Sequence, residues 1–172
     1  MSKLCYILDP GHGGMINGKY QTAGKRSPKF DDGSVLYEGV NNRDNVRLLI
    51  EKFKKYNIDY KDIVNSNKDI PLSKRVADAN LEAKHRKCVY ISIHSDANGD
   101  GIKWDKASGI SVYTSKGQTK SDIFASIVID ELEERYKNSV LWRKDTSDKD
   151  EDKEENFYVL ANTNMPAILI EC

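Results

Sequence analysis

The sequence predicts an α/β fold in which a mostly parallel or mixed central sheet is flanked by helices on both faces. Short apolar runs bounded by turn residues alternate along the chain with longer stretches of helical periodicity. Strands that alternate with helices are typical of the α/β class. The length of 172 residues corresponds to one domain, so we expect residues 1–172 to fold as a single unit.

Three of the predicted strands end on a side chain that can bind a metal or move a proton. The apolar run 5–8 leads through a turn to His12. The run 88–93 leads directly to His94, and the last apolar run ends on Glu171. Because ligands of open α/β sheets bind beyond the carboxyl ends of the strands, we expect these three side chains at one edge of the sheet.

Three segments show the periodicity of amphipathic helices. The first spans about 41–56 and stops at Asn57, the second begins at Pro71, and Asp122 caps the third. The residues predicted to face the core are Val46, Leu49, Ile50 and Phe53 in the first helix, Leu72, Val76, Ala79 and Ala83 in the second, and Ile123, Ile127, Val128, Leu132 and Tyr136 in the third.

The remaining segments predict short strands and two long loops. Residues 144–155 are mostly Lys, Asp and Glu and predict a charged loop with no evident function. The polar stretch from Gly11 to Leu36 predicts a loop, and loops longer than ~15 residues in compact domains are usually functional or disordered. Apolar runs and alternation favour strands near 58–60, 63–64, 108–113 and 157–160.

Composition argues against several kinds of partner and location. The 27 basic and 27 acidic residues give a net charge of zero, so no basic excess favours nucleic-acid binding. No apolar stretch approaches the ~20 residues that a membrane-spanning helix needs, and the N-terminus lacks the apolar segment of a secretory signal. The three cysteines are too few and too widely spaced for a disulfide framework, and we expect Cys5 and Cys88 to be buried.

The residues at the predicted strand ends could build a catalytic zinc site. Such a site usually has three protein ligands and one open position for water, and His12 and His94 supply two of them. The spacing leaves the third ligand open. Glu38 is favoured because it opens a helix, and a separate carboxylate, Glu171, could move the protons. The other acids that could complete the set are Asp9, Asp31, Asp32 and Asp96. Asp9 could instead orient the His12 side chain without binding the metal itself.

Each of these residues also has an ordinary structural interpretation. A histidine after a strand is commonly a hydrogen-bonded structural residue, and Glu171 could be an exposed acid. Two of only three histidines nevertheless occupy equivalent strand ends. The third, His85, lies in the basic run 84–87 and is expected at the surface.

Six segments, in order, resemble the zinc-dependent N-acetylmuramoyl-L-alanine amidases of the amidase-3 group. The opening motif Ile7-Leu8-Asp9-Pro10-Gly11-His12-Gly13-Gly14 is the first of them. The others are Glu38 with Asn41-Asn42, Leu72–Asn80 with Arg75, Ser92–Asn98, Gly109–Tyr113 and Met165–Glu171. One departure is Asp96, near which the family more often has a small residue.

The resemblance implies a role for each site residue. His12, Glu38 and His94 would hold one Zn²⁺ per chain, and Glu171 would act as general base and then general acid. Asn98 would contact substrate or simply form a turn. The substrate would be bacterial peptidoglycan, cut between N-acetylmuramic acid and the L-alanine of the stem peptide.

The resemblance also bears on the chain end and on the origin of the protein. The family usually continues past its catalytic glutamate, so we expect either a fragment or a short natural end, where a free carboxylate would raise the pKa of Glu171. The chain resembles a phage or prophage lysin domain, made in the cytoplasm and acting on the cell wall; an excised domain of a secreted hydrolase fits equally well. Two alternatives are a zinc peptidase acting on stem peptides and a wall-binding module that has lost catalysis. The sequence leaves the oligomeric state open.

Overall fold

A mixed six-stranded sheet lies at the centre of the computed structural model, which describes residues 4–95, 102–104, 106, 108–147 and 150–172. The strands are β1 (Cys5–Pro10), β2 (Met15–Ile16), β3 (Lys19–Tyr20), β4 (Asp59–Asp62), β5 (Cys88–His94), β6 (Ser111–Thr114), β7 (Lys153–Glu154) and β8 (Ala167–Glu171). The helices are α1 (Glu38–Lys55), α2 (Leu72–Ala83), α3 (Ser121–Tyr136) and α4 (Tyr158–Asn162), and a 3₁₀ turn covers Lys137–Ser139.

The order of strands in the central sheet is β4-β1-β5-β8-β6-β7, while β2 and β3 form a separate hairpin. The four strands β4, β1, β5 and β8 run parallel, β6 is antiparallel to β8, and β7 is parallel to β6. The predicted α/β fold with a mixed sheet is therefore confirmed. The carboxyl ends of the four parallel strands meet at one edge, where the candidate site residues lie.

Helices cover both faces of the sheet, as the sequence predicted. On one face Ile7 and Tyr90 of the sheet pack in a buried cluster with Val76 of α2 and Leu160 of α4. On the other face Leu8 and Ile93 pack against Val46 of α1, and Val112 and Ile168 pack against Ala125 and Ile129 of α3. Alternate residues of each strand point to opposite faces, which explains why the central strands are apolar over most of their length.

The strand predicted over 157–160 is wrong, because residues 158–160 belong to the short helix α4 and Phe157 caps it. Val159 and Leu160 are consecutive, and both are buried on the same face of the sheet. Consecutive residues of a strand would point to opposite faces, whereas one turn of helix can direct both towards the same core. A short apolar run does not by itself distinguish these two structures.

The apolar face predicted for α3 is also largely wrong. Ala125 and Ile129 face the core, whereas Ile123 and Ile127 are more than half exposed. Of the predicted set, Val128 packs against the core cluster and Tyr136 is exposed. Apolar residues lie on most sides of this helix, so the sequence pattern does not select one face.

Smaller differences affect α2 and the two predicted loops. Leu72, predicted to face the core, is 52% exposed at the start of α2. The stretch from Gly11 to Leu36 contains the hairpin of β2 and β3, whose turn residues Asn17 and Gly18 both have positive φ. Asn-Gly is the preferred sequence for such a turn and could have predicted the hairpin. The charged stretch 144–155 contains the short edge strand β7.

Three further expectations concern burial and membranes. Cys5 and Cys88 are buried side by side on β1 and β5, and His85 is exposed, as predicted. Across the described ranges, no helix combines the length and the apolar character that crossing a membrane requires.

Candidate functional site

The sheet topology brings the candidate residues to one edge. His12 lies two residues beyond the end of β1, and His94 is the last residue of β5. Glu171 ends β8 and pairs in register with His94. The fourth residue, Glu38, is the first residue of α1 and contacts both histidines at the same edge of the sheet. All four therefore occupy the position where open α/β sheets bind ligands.

The side chains of His12, Glu38 and His94 form one compact cluster. Glu38 Oε1 lies 3.1 Å from His12 Nε2 and 3.1 Å from His94 Nδ1. The planes of the two imidazole rings make an angle of 85°, and the ring centroids lie 4.9 Å apart. One nitrogen or oxygen atom from each residue lies within 4.8 Å of the others. Among the described residues this is the one group of three or more such side chains that could hold a metal ion.

Glu38 is held as a carboxylate although it is only 3% exposed. Burial alone would raise its pKa, but hydrogen bonds and attraction from His12 and His94 outweigh this and lower the pKa to about 2. Oε1 also accepts a 3.4 Å hydrogen bond from the backbone N–H of Ser95. Oε2 is buried and has no hydrogen-bond partner within the described part of the chain. A buried, ionised oxygen of this kind needs a cation or a donor to offset its desolvation.

The backbone around His12 is specialised for bringing the two histidines together. His12 has a φ of +62°, a conformation that non-glycine residues adopt infrequently. Its carbonyl oxygen accepts hydrogen bonds from two guanidinium groups, Arg43 Nη2 at 2.8 Å and Arg75 Nη2 at 3.1 Å. The preceding Gly11 lies against the His94 ring, so that a Cβ there would fall 2.3 Å from His94 Cε1. The close approach of the two ligand-bearing segments therefore requires glycine at position 11.

Asp9 belongs to a buried polar network behind the cluster. Its carboxylate accepts hydrogen bonds from Arg75 Nη1, from the Tyr90 hydroxyl at 2.5 Å and from Ser92 Oγ at 3.0 Å. Burial, together with the neighbouring charge of Asp9, raises the pKa of Tyr90 well above its usual value. Asp9 thus bonds to Arg75 rather than to the His12 ring, and its link to His12 runs through the guanidinium of Arg75.

The other acids considered for the third ligand are not brought into the cluster. Asp31 and Asp32 are exposed in the loop before α1, and Asp32 has its pKa lowered by hydrogen bonds within its own turn, to Ser34. Asp96 and the substrate-contact candidate Asn98 lie outside the described residues.

Glu171 and the two histidines line a cleft of about 250 Å³ at the sheet edge. Lys25 and Asp69 contribute charged groups to its wall. Its other lining residues are mostly apolar or aromatic, and include Leu72, Phe157, Tyr158, Val159 and Leu169. The cleft therefore places a carboxylate beside the histidine cluster within a partly apolar space that is open to a substrate.

Sequence reasoning missed two residues that shape the cluster. The Tyr20 hydroxyl accepts a hydrogen bond from the Gly39 N–H and donates one to the Lys25 carbonyl, which fixes the start of α1 beside the loop. Arg43 binds the carbonyls of His12 and Gly39. Arg43 lies three residues before Val46 and seven before Ile50 and so continues the predicted apolar stripe of the helix, whereas Arg47, one turn later, lies off it and is 61% exposed. The helical periodicity could therefore have indicated that Arg43 faces the protein interior, although not which carbonyls it binds.

The chain is similar to known cell-wall amidases along most of its length. It is 28% identical over 165 residues to the probable cell wall amidase LytH of Staphylococcus saprophyticus, covering 96% of this chain and 46% of that protein. The chain therefore spans about half the length of this curated relative.

Solved structures show the same architecture. An N-acetylmuramoyl-L-alanine amidase from Clostridium difficile 630 matches with a TM-score of 0.76 and 28% identity, over 99% of this chain and 79% of that one. The amidase Ami1 of Mycobacterium smegmatis, at 17% identity, shares the fold with a TM-score of 0.72 over 98% of this chain and 81% of its own. The family model of the N-acetylmuramoyl-L-alanine amidases, Amidase_3, matches residues 7–172. The chain thus belongs to the Amidase_3 family of N-acetylmuramoyl-L-alanine amidases.

Proposed function

We propose that this chain is a zinc-dependent N-acetylmuramoyl-L-alanine amidase that hydrolyses bacterial peptidoglycan between N-acetylmuramic acid and the L-alanine of the stem peptide. The observation that carries the proposal is the cluster of His12, Glu38 and His94, whose two histidines line one cleft together with Glu171. Family membership supports an amidase, and the LytH relative is described as a cell wall amidase. We propose residues 1–172 as the catalytic domain acting on the wall.

The residues in the cluster fit a zinc ion. Two imidazole nitrogens and one carboxylate form the ligand set of several catalytic zinc sites. The Glu38 carboxylate is ionised and has a buried oxygen without a hydrogen-bond partner among the described residues. His12, Glu38 and His94 would hold one Zn²⁺ per chain, and both histidines are partly open to the cleft, at 19% and 18% exposure. A bound zinc supplies Lewis-acid polarisation of a carbonyl and lowers the pKa of its water towards ~7.

Glu171 is the proposed proton carrier. It lies in register with His94 and faces the same cleft, so its carboxylate can accept a proton from the water that attacks the amide carbonyl carbon. The same carboxyl group then donates that proton to the amine nitrogen of L-alanine as the C–N bond breaks. Asn98 is proposed as a further substrate contact.

One digestion experiment tests the function. Purified peptidoglycan is incubated with the zinc-loaded chain, and new amino termini and products are identified by mass spectrometry. The amidase predicts free stem peptides that begin with L-alanine, and glycan strands that carry free lactyl carboxyl groups. A chelator should stop release, and added Zn²⁺ should restore it. Cleavage inside stem peptides would instead favour the zinc peptidase, and wall binding without any release would favour the non-catalytic module.

A further inference from the structure

Arg43 contacts two of the three proposed ligand segments at once. Its Nη2 donates a 2.8 Å hydrogen bond to the carbonyl of His12, and its Nη1 donates a 2.8 Å bond to the carbonyl of Gly39, the residue after Glu38. Its Nε bonds to the Ser66 carbonyl at 2.9 Å, and Nη2 also reaches the Lys68 carbonyl at 3.3 Å. One guanidinium group therefore joins the turn after β1, the first turn of α1 and the loop that follows β4.

These partners are all backbone carbonyls. Among the described residues, Arg43 donates hydrogen bonds to carbonyl oxygens and to no carboxylate. Arg75, the other guanidinium on the His12 carbonyl, forms an ion pair with Asp9. The two arginines thus differ in role. Arg75 completes a buried ion pair with Asp9, while Arg43 binds only backbone carbonyls of the described residues, an arrangement that we call the backbone clamp.

The shape of the guanidinium explains why arginine is needed at this position. Its five N–H groups lie in one plane with fixed directions, so it can donate to carbonyls of three segments simultaneously. A lysine ammonium keeps the charge but has three donors on one atom, and one atom cannot reach carbonyls that Arg43 contacts through Nε, Nη1 and Nη2. The hydrogen bond from Arg43 also holds the carbonyl of a residue whose backbone conformation is disfavoured, because His12 has a φ of +62° and is not glycine.

We propose that Arg43 is a positioning residue of the metal centre, which sets zinc affinity by fixing His12 and Glu38 relative to each other through their backbones. This inference rests on the proposed function in so far as those residues bind zinc. Outer groups that orient metal ligands typically change metal affinity by 10–100-fold when they are altered. The Arg43 side chain holds the backbone carbonyls of His12 and of Gly39, the residue after Glu38, rather than the ligand side chains. The effect therefore requires the planar arrangement of its N–H groups and not the positive charge alone.

The test compares Arg43→Lys with Arg47→Lys on the same helix. Arg47 is exposed and bonds only to Asp44 and Glu51 among the described residues, so its variant is a matched control. Zinc affinity is measured directly by competition between the chain and a chromophoric chelator, with Zn²⁺ as the only ligand. We expect Arg43→Lys to weaken zinc binding by about 10-fold or more and Arg47→Lys to leave it unchanged. Thermal unfolding of both metal-free variants is recorded in parallel.

Chemical rescue separates positioning from a general loss of stability. In Arg43→Ala, millimolar guanidinium should restore part of the zinc affinity, whereas the same concentration of ammonium should not. Equal zinc affinity in Arg43→Lys and Arg47→Lys would overturn the proposal. So would a metal-free Arg43→Lys that no longer unfolds cooperatively, because the role of Arg43 would then be to hold the fold. Failure of the wild-type chain to digest peptidoglycan while it binds zinc would count against the proposed function and leave the role of Arg43 standing.

Discussion

His94 and Glu171 lie directly opposite each other on the neighbouring parallel strands β5 and β8, each at the last position of its strand. The register of the sheet therefore sets the distance between a proposed zinc ligand and the proposed proton carrier. A shift of one residue in that register would turn one of the two side chains to the opposite face. Backbone pairing, and not a flexible loop, aligns these two groups.

Glu171→Gln is expected to abolish turnover while zinc remains bound. Glutamine has nearly the same size as glutamate but cannot accept and return a proton, and general acid–base catalysis contributes typically 10²–10⁴-fold. The measurement is the rate of amino-group release from peptidoglycan, together with zinc content by atomic emission. Loss of zinc in this variant would make Glu171 a ligand instead of the base.

Glu38→Ala is expected to weaken zinc binding strongly. The change removes the ionised carboxylate that both histidines contact at 3.1 Å. Asp32→Ala provides the control, since Asp32 is an exposed acid in the loop that precedes α1. Zinc content after dialysis distinguishes the variants, and a Glu38→Ala protein that retains one zinc per chain would assign the third ligand to another acid.

Gly39→Ala is expected to destabilise the protein by about 3 kcal/mol, at the upper end of the ~1–3 kcal/mol that overpacking typically costs, because the atom it would meet is fixed backbone. A Cβ at this position would lie 2.0 Å from the Gly13 carbonyl oxygen, which cannot move without displacing the segment next to His12. Denaturant unfolding of the metal-free chain measures the change.

Gly24→Ala is the control for that experiment. Gly24 also lies near the site in sequence and has a φ of +84°, but a Cβ there would meet no atom within 4 Å. We expect only the backbone cost of about 1 kcal/mol. If the two variants were equally stable, steric contact with Gly13 would not be the reason for glycine at position 39.

Asp152 is expected to make the stability of the protein depend on pH. Burial raises its pKa from 3.8 to about 6, with further contributions from Asp150 and Asp122 and an opposing hydrogen bond from Thr114. The folded state therefore binds more protons than the unfolded state between pH ~4 and ~6, so this residue's contribution to stability falls as the pH rises through that range.

Asp152→Asn removes this dependence while an amide oxygen can still accept the hydrogen bond from Thr114. The difference in unfolding free energy between variant and wild type should grow in favour of the variant from pH 4 to pH 7, by on the order of 1–3 kcal/mol. Urea unfolding at several pH values measures it. A difference that stays constant over this range would show that Asp152 has an ordinary pKa.

The parts of the fold that the sequence predicted well are those with strong patterns. Continuous apolar runs identified β1, β5 and β8, because a strand buried on both faces must be apolar throughout. Histidines at two strand ends predicted two members of the group, whereas the spacing left the acid open: Glu38 was favoured for its place at the start of a helix, and the family resemblance singled it out. The structure agrees with that grouping.

The parts that the sequence predicted poorly depend on tertiary contacts. The run 157–160 was assigned to a strand because its apolar character fits either structure, and only packing against the core selects the helix α4. The buried face of α3 could not be chosen among several apolar ones. Helical spacing places Arg43 on the same stripe as Val46 and Ile50, but only the tertiary structure shows that it reaches the His12 carbonyl.

The four residues of the proposed centre come from the turn after β1 and from α1, β5 and β8, and they are spread along the chain from His12 to Glu171. No short fragment contains the centre, so it exists only after the parallel half of the sheet has assembled. A metal ion held by His12, Glu38 and His94 would cross-link the turn after β1, the start of α1 and the end of β5. It would therefore bind the folded chain in preference to the unfolded one. Linkage then ties the resistance of the protein to proteolysis to the free zinc concentration around it.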